Sequence, residues 1–253
     1  MPGPLRTALV TGGAKRLGRA ICLALAGAGF AVGIHCRRSR AEADALAAEI
    51  RAQGGRAEVF AADLQDEAAT TRLAEAALGA LGPIGVLVNN ASTFERDEWD
   101  DATRESWDRH IEPNLRAPFV LMQAMARALP ETEEGVVVNM LDERVWSLTP
   151  HFVSYTVAKA GLWALTQQMA LALAPRIRVN AIGPGPALRS PRQTDEQFAR
   201  QCASVPLRHG TSPEEVGRAV LAIIGLPSMT GQMIALDGGQ HLQWSPARSA
   251  LAE

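Results

Sequence analysis

The chain has 253 residues, of which 47% are apolar, and its formal net charge is −2. This length and apolar content provide for one large α/β domain or two small ones with a sizeable core, and the balanced charge argues against a surface that binds nucleic acid. The three cysteines are scattered without metal-ligand spacing and are too few for a secreted disulfide framework, so no metal site is expected.

Short β-rich segments alternate with longer amphipathic segments along the chain. Strands are predicted at 5–11, 31–35, 57–62, 84–89, 136–140, 177–181 and 233–236. Helices are predicted at about 16–27, 40–53, 66–80, 101–129 with a break near Pro113, 152–174 and 212–225. Strands that are apolar on both faces and joined through helices indicate a parallel sheet covered on both sides, which is a doubly wound, Rossmann-like α/β fold. Ligands of such folds bind at the carboxyl ends of the strands.

The alternation continues without a repeat, a low-complexity tract or a linker, so residues 1–253 are predicted to form a single domain. Only residues 183–211, rich in proline around a short helix near 193–203, interrupt it. This region is either a lid over the ligand crevice or an irregular surface connection. No uncharged run is long enough for a membrane span and no hydrophobic signal core precedes the first strand, so a cytoplasmic protein without a membrane partner is expected.

A glycine-rich turn follows the first strand, with Gly12 and Gly18 on either side of Lys15, Arg16 and Leu17. Glycines at such a turn permit close backbone approach, and the N-terminus of the next helix presents free N–H groups to a pyrophosphate. Glycine is also common at the ends of strands that bind nothing, so the turn alone is weak evidence for a nucleotide site. Its position in the first βαβ unit favours a bound nucleotide.

A basic cluster, His35, Arg37, Arg38 and Ser39, follows the second strand, where a chain that binds NAD usually carries a carboxylate. Guanidinium groups suit a 2′-phosphate, so the cluster favours NADPH over NADH. The alternative is a solvated basic start to a surface helix. Asp63, which ends the third strand, either holds the adenine or caps the next helix.

The fourth strand continues into Asn90, Ala91 and Ser92, whose small or amide side chains let the backbone approach a cofactor. Phe94 follows and is placed to stack on a flat ring, unless it is simply an exposed loop aromatic. Asn114, beside Pro113, interrupts a helix and can hold a water or a backbone group near Lys159. Helix breaking is the alternative.

Tyr155 is the only tyrosine of the chain, and Lys159 lies four positions later in an apolar helical segment. That spacing puts both side chains on one face of the helix. A neighbouring ammonium favours the phenolate and lowers the tyrosine pKa, so the pair is a candidate general acid. The alternative is that the lysine stem merely packs against the ring.

These segments together resemble the short-chain dehydrogenase/reductase family over essentially the whole chain. The matching motifs are the turn at 11–18, Asn-Asn-Ala at 89–91, Asn114, Tyr155 with Lys159, Arg-Val-Asn at 178–180 before Pro184-Gly185, and Asp-Gly-Gly at 237–239. The resemblance implies an NADPH-dependent oxidoreductase and a homotetramer packed through the helices near 101–129 and 152–174.

Three departures from the usual family pattern are Arg16 for the middle glycine, Ser92 after Asn-Asn-Ala, and Asp142 for the serine thirteen residues before Tyr155. All three look like pteridine reductases and the related dihydromonapterin (dihydrofolate) reductases, which implies a small pterin or folate-like substrate. By that resemblance, Phe94 would sandwich a pterin against the nicotinamide. The implied catalytic residues are Asp142, Tyr155, Lys159 and Asn114, the last anchoring a proton-relay water.

The resemblance also implies which residues contact each ligand. The implied cofactor contacts are Gly12, Lys15, Arg16, Leu17, Gly18, His35, Arg37, Arg38, Ser39, Asp63, Leu64, Asn90, Ala91, Ser92, Tyr155, Lys159, Pro184 and Gly185. The implied substrate contacts are Arg16, Ser92, Phe94, Asp142 and Tyr155.

Asp142 has a chemical rationale of its own. Reducing a ring C=N requires protonation of nitrogen, and a carboxyl group either donates a proton when neutral or pairs with an amidine edge when charged. An ionised Asp142 close to Tyr155 would raise the tyrosine pKa, opposing Lys159, and the three would titrate together. The alternative for Asp142 is a solvated loop carboxylate. For the whole protein, the alternatives are an enzyme for another carbonyl or imine substrate and a non-catalytic NADP-binding sensor.

Overall fold

The computed structural model describes residues 3–190 and 192–243, and seven strands of this part of the chain form one parallel sheet. The sheet order is β3-β2-β1-β4-β5-β6-β7. The strands are β1 (Thr7–Val10), β2 (Ala31–Cys36), β3 (Ala57–Ala61), β4 (Val86–Asn89), β5 (Gly135–Met140), β6 (Ile177–Pro184) and β7 (Met233–Leu236). The chain reverses its direction of winding between β1 and β4, which opens a crevice at their carboxyl ends. The predicted doubly wound fold is confirmed.

Helices cover both faces of this sheet. They are α1 (Arg16–Gly27), α2 (Arg40–Ala52), α3 (Glu67–Leu81), α4 (Arg104–Ile111), α5 (Ala117–Ala128), α6 (Val153–Ala172), α7 (Asp195–Ser204) and α8 (Pro213–Ile224). Among the described residues, no helix combines the length and hydropathy that crossing a bilayer requires.

The central strands are apolar throughout because each of their faces is buried under helices. Val86 and Val88 of β4 pack in one core with α1, α2 and α8, whereas Leu87 between them packs in a second core with α3, α5 and α6. Successive strand residues point to opposite faces, so a strand covered on both sides shows no polar alternation.

The structure departs from the predicted elements at two places near the site. β6 runs to Pro184 rather than 181, because its last residues still pair with β7, where Pro184 lies opposite Leu236. The predicted break at Pro113 is a turn of π-helix, Glu112–Arg116, between α4 and α5. Proline has no N–H to donate, so the helical hydrogen bonds change register there, and Asn114 is buried in the turn.

A ladder of buried polar side chains ties β4 and β5 to α6. Asn89 Nδ2 donates to Asn139 Oδ1 at 2.8 Å, and Asn139 Nδ2 donates to Thr166 Oγ1 at 2.9 Å. Thr166 Oγ1 donates in turn to the Leu162 carbonyl at 2.7 Å. Breaking such a buried network is expensive, so the ladder fixes α6 against the carboxyl ends of both strands.

Two glycines make the turn after β1 compact. Gly12 has φ of +61°, in the left-handed region that glycine adopts without strain. A Cβ on Gly18 would lie 2.1 Å from the carbonyl oxygen of Gly12, which is closer than non-bonded atoms approach. The first turn of α1 therefore packs directly on the backbone of the loop.

Replacing Gly18 by alanine tests this packing. Gly18→Ala should lower the free energy of unfolding by about 2 kcal/mol, because backbone must move to admit the methyl group. Gly79→Ala, in α3 with no atom within 4 Å of the added Cβ, should instead raise it by about 0.5–1 kcal/mol. Urea denaturation measures both values. A Gly18→Ala protein as stable as the parent would contradict the close packing.

Candidate active site

The site lies at the carboxyl edge of the sheet, where the first turns of α6 meet the residues that follow β5. Tyr155 and Lys159 are both buried there. The Tyr155 hydroxyl donates to Asp142 Oδ2 at 2.8 Å, whereas Lys159 Nζ donates to the Met140 carbonyl at 2.7 Å. Lys159 Nζ lies 5.8 Å from the centre of the Tyr155 ring. The hydrogen-bond partner of the tyrosine is thus the carboxylate.

This arrangement decides between the two effects expected on the Tyr155 pKa, a lowering by Lys159 and a raising by an ionised Asp142. Burial, together with the negative charge of Asp142, raises the pKa of Tyr155 well above 10, although Arg144 opposes the rise. The raising effect prevails, as expected for an ionised Asp142 close to the hydroxyl, because burial penalises the phenolate and the nearest charge is negative. Burial also lowers the pKa of Lys159 from 10.5 to about 8, against the pull of Asp142. Tyr155 therefore holds its proton firmly.

Asp142 is held by three groups and is not a solvated loop carboxylate. Besides the tyrosine, it accepts a hydrogen bond from the Arg144 backbone N–H at 3.0 Å, and Arg144 Nη1 lies 3.5 Å from Oδ2. The side chains of Asp142 and Arg144 are only 16% and 13% exposed. Sequence reasoning missed Arg144, since a charged residue next to two acidic ones gives no sign of being buried.

An aromatic wall formed by Phe94 and Phe152 stands beside Tyr155. The two phenylalanine rings stack with centres 4.6 Å apart, and Phe94 meets the Tyr155 ring edge-on at 4.7 Å. Arg144 and Arg192 place their guanidinium carbons 5.4 and 5.1 Å from the Phe94 ring centre. Phe94 is therefore not an isolated loop aromatic. Phe152 was not predicted, because its left-handed backbone, φ +59°, is unusual for a bulky residue.

Asn114 and Asn90 hold backbone on either side of the crevice. Asn114 donates to the Thr93 carbonyl at 2.9 Å and accepts from the Thr93 N–H at 2.8 Å, so its amide holds a backbone group, one of the two possibilities raised by the sequence. Asn90 Nδ2 donates to the carbonyls of Thr11 and Gly12 at 2.9 and 3.0 Å. The N–H groups of Asn90 and Ala91 both donate to Thr11 Oγ1.

His35 supports the glycine turn from below. It is buried, its Nδ1 accepts a hydrogen bond from the Gly12 N–H at 3.1 Å, and its Nε2 lies 3.1 Å from the Ala62 carbonyl. Because Nδ1 accepts, the proton of the neutral ring is on Nε2. Burial lowers the pKa of His35, which keeps the ring neutral. His35 was expected among the groups that bind phosphate; here both of its ring nitrogens are engaged by the backbone.

The remaining basic residues of the cluster line an open groove of about 1080 Å³. Arg37, Arg38 and Ser92 lie in its wall, and Arg37 Nη1 is 3.8 Å from Asp63 Oδ1. Asp63 accepts from the Gln65 N–H, whereas the residue that caps α3 is Asp66. The capping role considered for Asp63 is therefore wrong.

Arg16 joins the glycine turn to the segment at 183–211. Its backbone has φ of +53°, and its guanidinium donates to the carbonyls of Leu188 and Arg189 at 3.2 and 3.0 Å. From the same segment, Arg192 Nη1 donates to the Phe94 carbonyl at 3.2 Å. The described part of this segment contains α7 and contacts both the glycine turn and Phe94.

The other predicted cofactor residues lie around the same edge. Lys15, just before α1, forms an ion pair with Glu42 at 2.5 Å, and Leu17 in the first turn of that helix packs on the core. Ser39 is the residue before α2. Leu64 is buried, and Pro184 ends β6.

The donor set fits a phosphorylated dinucleotide. A Cβ on Gly185 would lie 2.7 Å from Asp237 Cα, so the backbone after β6 packs directly on the backbone after β7. The guanidinium groups of Arg37 and Arg38 stand at the carboxyl end of β2, where they suit a 2′-phosphate.

Comparison with known proteins agrees with this geometry. Residues 6–198 match a family model described as short chain dehydrogenase. The fold superposes on FolM alternative dihydrofolate reductase 1 from Brucella canis, complexed with NADP, with a TM-score of 0.92 and 49% identity over 96% of this chain and 97% of that one. A blue fluorescent protein from a metagenomic library, in complex with NADPH, gives a TM-score of 0.87 and 30% identity over 93% and 98% of the two chains.

Sequence relatives carry more varied names. A probable galactose dehydrogenase, GalD, of Rhizobium meliloti is 35% identical over 92% of this chain and 94% of its own length. L-xylulose reductase of Bos taurus is also 35% identical, over 92% and 96% of the two chains.

Lys159→Met tests the burial of the ammonium. A pKa lowered from 10.5 to about 8 means that the charged side chain destabilises the folded state by about 3 kcal/mol at neutral pH. The variant also loses the hydrogen bond to the Met140 carbonyl, which offsets about 1 kcal/mol of the gain in stability. At pH 7 the free energy of unfolding of the variant should exceed that of the parent by about 1–2 kcal/mol. The gap should close as pH rises from 8 to 10.5, since the folded parent then releases a proton that the unfolded chain keeps.

Denaturant titrations from pH 7 to 10 measure this gap. Lys15→Met is the matched control, because the Lys15 side chain is 51% exposed and its replacement should change stability by less than about 0.5 kcal/mol. A Lys159→Met protein less stable than the parent by 1 kcal/mol or more would contradict the account.

Proposed function

Because the chain belongs to the short-chain dehydrogenase/reductase family of oxidoreductases, we propose that it is an NADPH-dependent reductase of a pterin or folate-type substrate. The observation that carries this proposal is the contact of Asp142 with the Tyr155 hydroxyl beside the aromatic wall of Phe94 and Phe152. A flat heterocycle suits such a wall, and a carboxylate suits its N–H edge. The FolM reductases from two Brucella species, each 49% identical to this chain, support the proposal.

The proton of the reaction comes from Tyr155. NADPH, when bound, would supply a hydride for the carbon of a ring C=N bond. The Tyr155 hydroxyl would give its proton to the nitrogen of that bond. The raised pKa keeps Tyr155 protonated until that nitrogen becomes basic. Lys159, buried on the same helix face, then stabilises the phenolate that is left behind.

Asp142 orients the ring. In the structure its carboxylate accepts a hydrogen bond from the Tyr155 hydroxyl. In the proposed complex the carboxylate pairs instead with the amidine N–H edge of the pterin. That exchange of partners turns the Tyr155 hydroxyl towards the ring nitrogen. Arg144, 3.5 Å from the carboxylate, keeps a compensating positive charge beside it.

The proposal extends to assembly and location. We infer a homotetramer packed through α4, α5 and α6, whose exposed apolar side chains include Trp107, Val157 and Leu171. A small-molecule substrate that is reduced with NADPH suits an enzyme of the cytoplasm.

NADPH oxidation assayed with dihydrobiopterin, dihydromonapterin and dihydrofolate tests the function. At least one should be turned over, and Asp142→Asn should lower its kcat/KM by about a hundredfold or more, because an amide cannot pair with the amidine edge through two acceptors. Asp142→Ser restores the usual residue of the family and is the informative comparison. Failure with all three substrates, together with carbonyl reduction that persists in Asp142→Ser, would favour a sugar or ketone substrate, as the names of several relatives suggest.

Cofactor preference depends on the basic cluster after β2. The double substitution Arg37→Asp with Arg38→Ala should weaken NADPH binding by about a hundredfold and NADH binding little, since only NADPH carries the 2′-phosphate. Titration of the cofactor, followed by its fluorescence, measures both affinities. Arg218→Ala, exposed on α8, is the control. Equal losses for the two cofactors would show that the cluster does not read the phosphate.

A further inference from the structure

The segment 93–97, which carries Phe94, lies outside any helix or strand and is held by side chains at every second residue. Asn114 binds both backbone groups of Thr93, as described above. His110 Nε2 accepts a hydrogen bond from the Glu95 N–H at 3.0 Å. The Asp97 carboxylate accepts hydrogen bonds from the backbone N–H and the hydroxyl of Ser154, the residue before Tyr155. In an extended chain, alternate residues face opposite sides, so these three anchors leave Phe94 to face the site.

The hydrogen bonds around His110 define its tautomer. Because Nε2 accepts from the Glu95 N–H, the proton of the neutral ring is on Nδ1. Nδ1 lies 2.7 Å from Ser154 Oγ and 3.0 Å from the Ser106 carbonyl. Ser154 Oγ donates to Asp97 Oδ2 at 2.5 Å, and the Ser154 N–H donates to Asp97 Oδ1 at 3.1 Å. The Nδ1 proton thus lies between two acceptors, the Ser106 carbonyl and Ser154 Oγ, and Ser154 donates its own proton to the carboxylate.

The charges around the ring agree with this assignment. Burial lowers the pKa of His110, against the raising effect of Ser106, Asp97 and Glu95, and Arg109 adds to the lowering. Burial alone would raise the pKa of Asp97, but hydrogen bonds from Ser154 and Ser106 outweigh it and lower that pKa. A neutral histidine beside an ionised aspartate is the pair that the hydrogen bonds require.

We propose that His110 is a positioning residue that sets the Phe94 wall and the Tyr155 proton donor relative to each other. Its Nε2 holds the segment that carries Phe94, and its Nδ1 meets Ser154, which precedes Tyr155 in α6. The ring centres of His110 and Tyr155 are 6.1 Å apart, edge to face, and His110 is buried, so the histidine packs behind the tyrosine and not at the protein surface. The effect on substrate affinity rests on the proposed function, since it requires that the substrate ring stacks on Phe94.

The two ring nitrogens have separate roles, which two similar substitutions separate. In His110→Gln the side-chain oxygen reaches the place of Nε2 and still accepts from the Glu95 N–H. In His110→Asn the shorter amide reaches the place of Nδ1 and leaves the Glu95 N–H without an acceptor. Both replacements are polar and neutral, so a difference between them reports the bond to Glu95 and not the loss of an imidazole.

Amide hydrogen exchange across residues 93–97, followed by mass spectrometry, is the first measurement. Exchange in His110→Asn should be about fivefold to tenfold faster than in the parent, and exchange in His110→Gln should stay within about twofold of it. Asp108→Asn, which removes an exposed ion pair with Arg104 on the same helix, should leave exchange unchanged. Equal exchange in the Asn and Gln variants would overturn the proposal, whatever the substrate is.

Steady-state kinetics with the best dihydropterin is the second measurement. His110→Asn should raise KM about fivefold to tenfold with kcat within about threefold of the parent, because Asp142, Tyr155 and Lys159 are untouched. His110→Gln should restore KM. A fall in kcat at unchanged KM would overturn the positioning role of His110. If the parent turns over no pterin, the proposed function fails, while the exchange result still decides whether His110 holds the segment.

Discussion

The hydrogen bond from the Tyr155 hydroxyl to Asp142 Oδ2 is the contact on which the rest of the site depends. Its two partners come from different elements: Asp142 follows β5, and Tyr155 lies in the first turn of α6. Their distance is therefore set by the packing of a helix on a sheet. The polar ladder from Asn89 through Asn139 to α6 fixes that packing at the carboxyl ends of two strands. Purely apolar contacts would permit more sliding of the helix than directional hydrogen bonds do.

Burial in one place shifts the pKa of two ionisable groups, Tyr155 and Lys159. The nearest hydrogen-bonded neighbour of Tyr155 is a carboxylate, so its pKa rises, while the ammonium of Lys159 is destabilised by the same lack of solvent. Removing the Asp142 charge, by pairing it with a cationic or amidine-bearing ring, would relieve the tyrosine. In the proposed complex, a substrate that pairs with Asp142 would therefore also make Tyr155 a better acid, which would link recognition with proton transfer.

Local patterns in the sequence predicted much of this structure. The alternation of apolar strands with amphipathic helices identified all seven strands and the parallel sheet, and a spacing of four placed Tyr155 and Lys159 on one helix face. Properties that depend on distant contacts were missed or mistaken. The burial of Arg144 and the left-handed backbone of Phe152 follow from packing. So does the burial that contributes most to the raised pKa of Tyr155, whereas the effect of Asp142 on that pKa was expected from the sequence. In the sequence, His110 looks like an ordinary polar residue of a surface helix, because its burial and its hydrogen bonds to Glu95 and Ser154 depend on the folded chain.

The most direct test of the account is a crystal structure of the protein with NADP and a reduced or dihydropterin bound together. The pterin should stack on Phe94, Asp142 should accept hydrogen bonds from its amidine edge, and the Tyr155 hydroxyl should have turned from Asp142 to a ring nitrogen. A pterin bound away from Phe94, or a Tyr155 still bonded to Asp142 with the ring in place, would contradict the assignment of Asp142 as the residue that selects a nitrogen heterocycle.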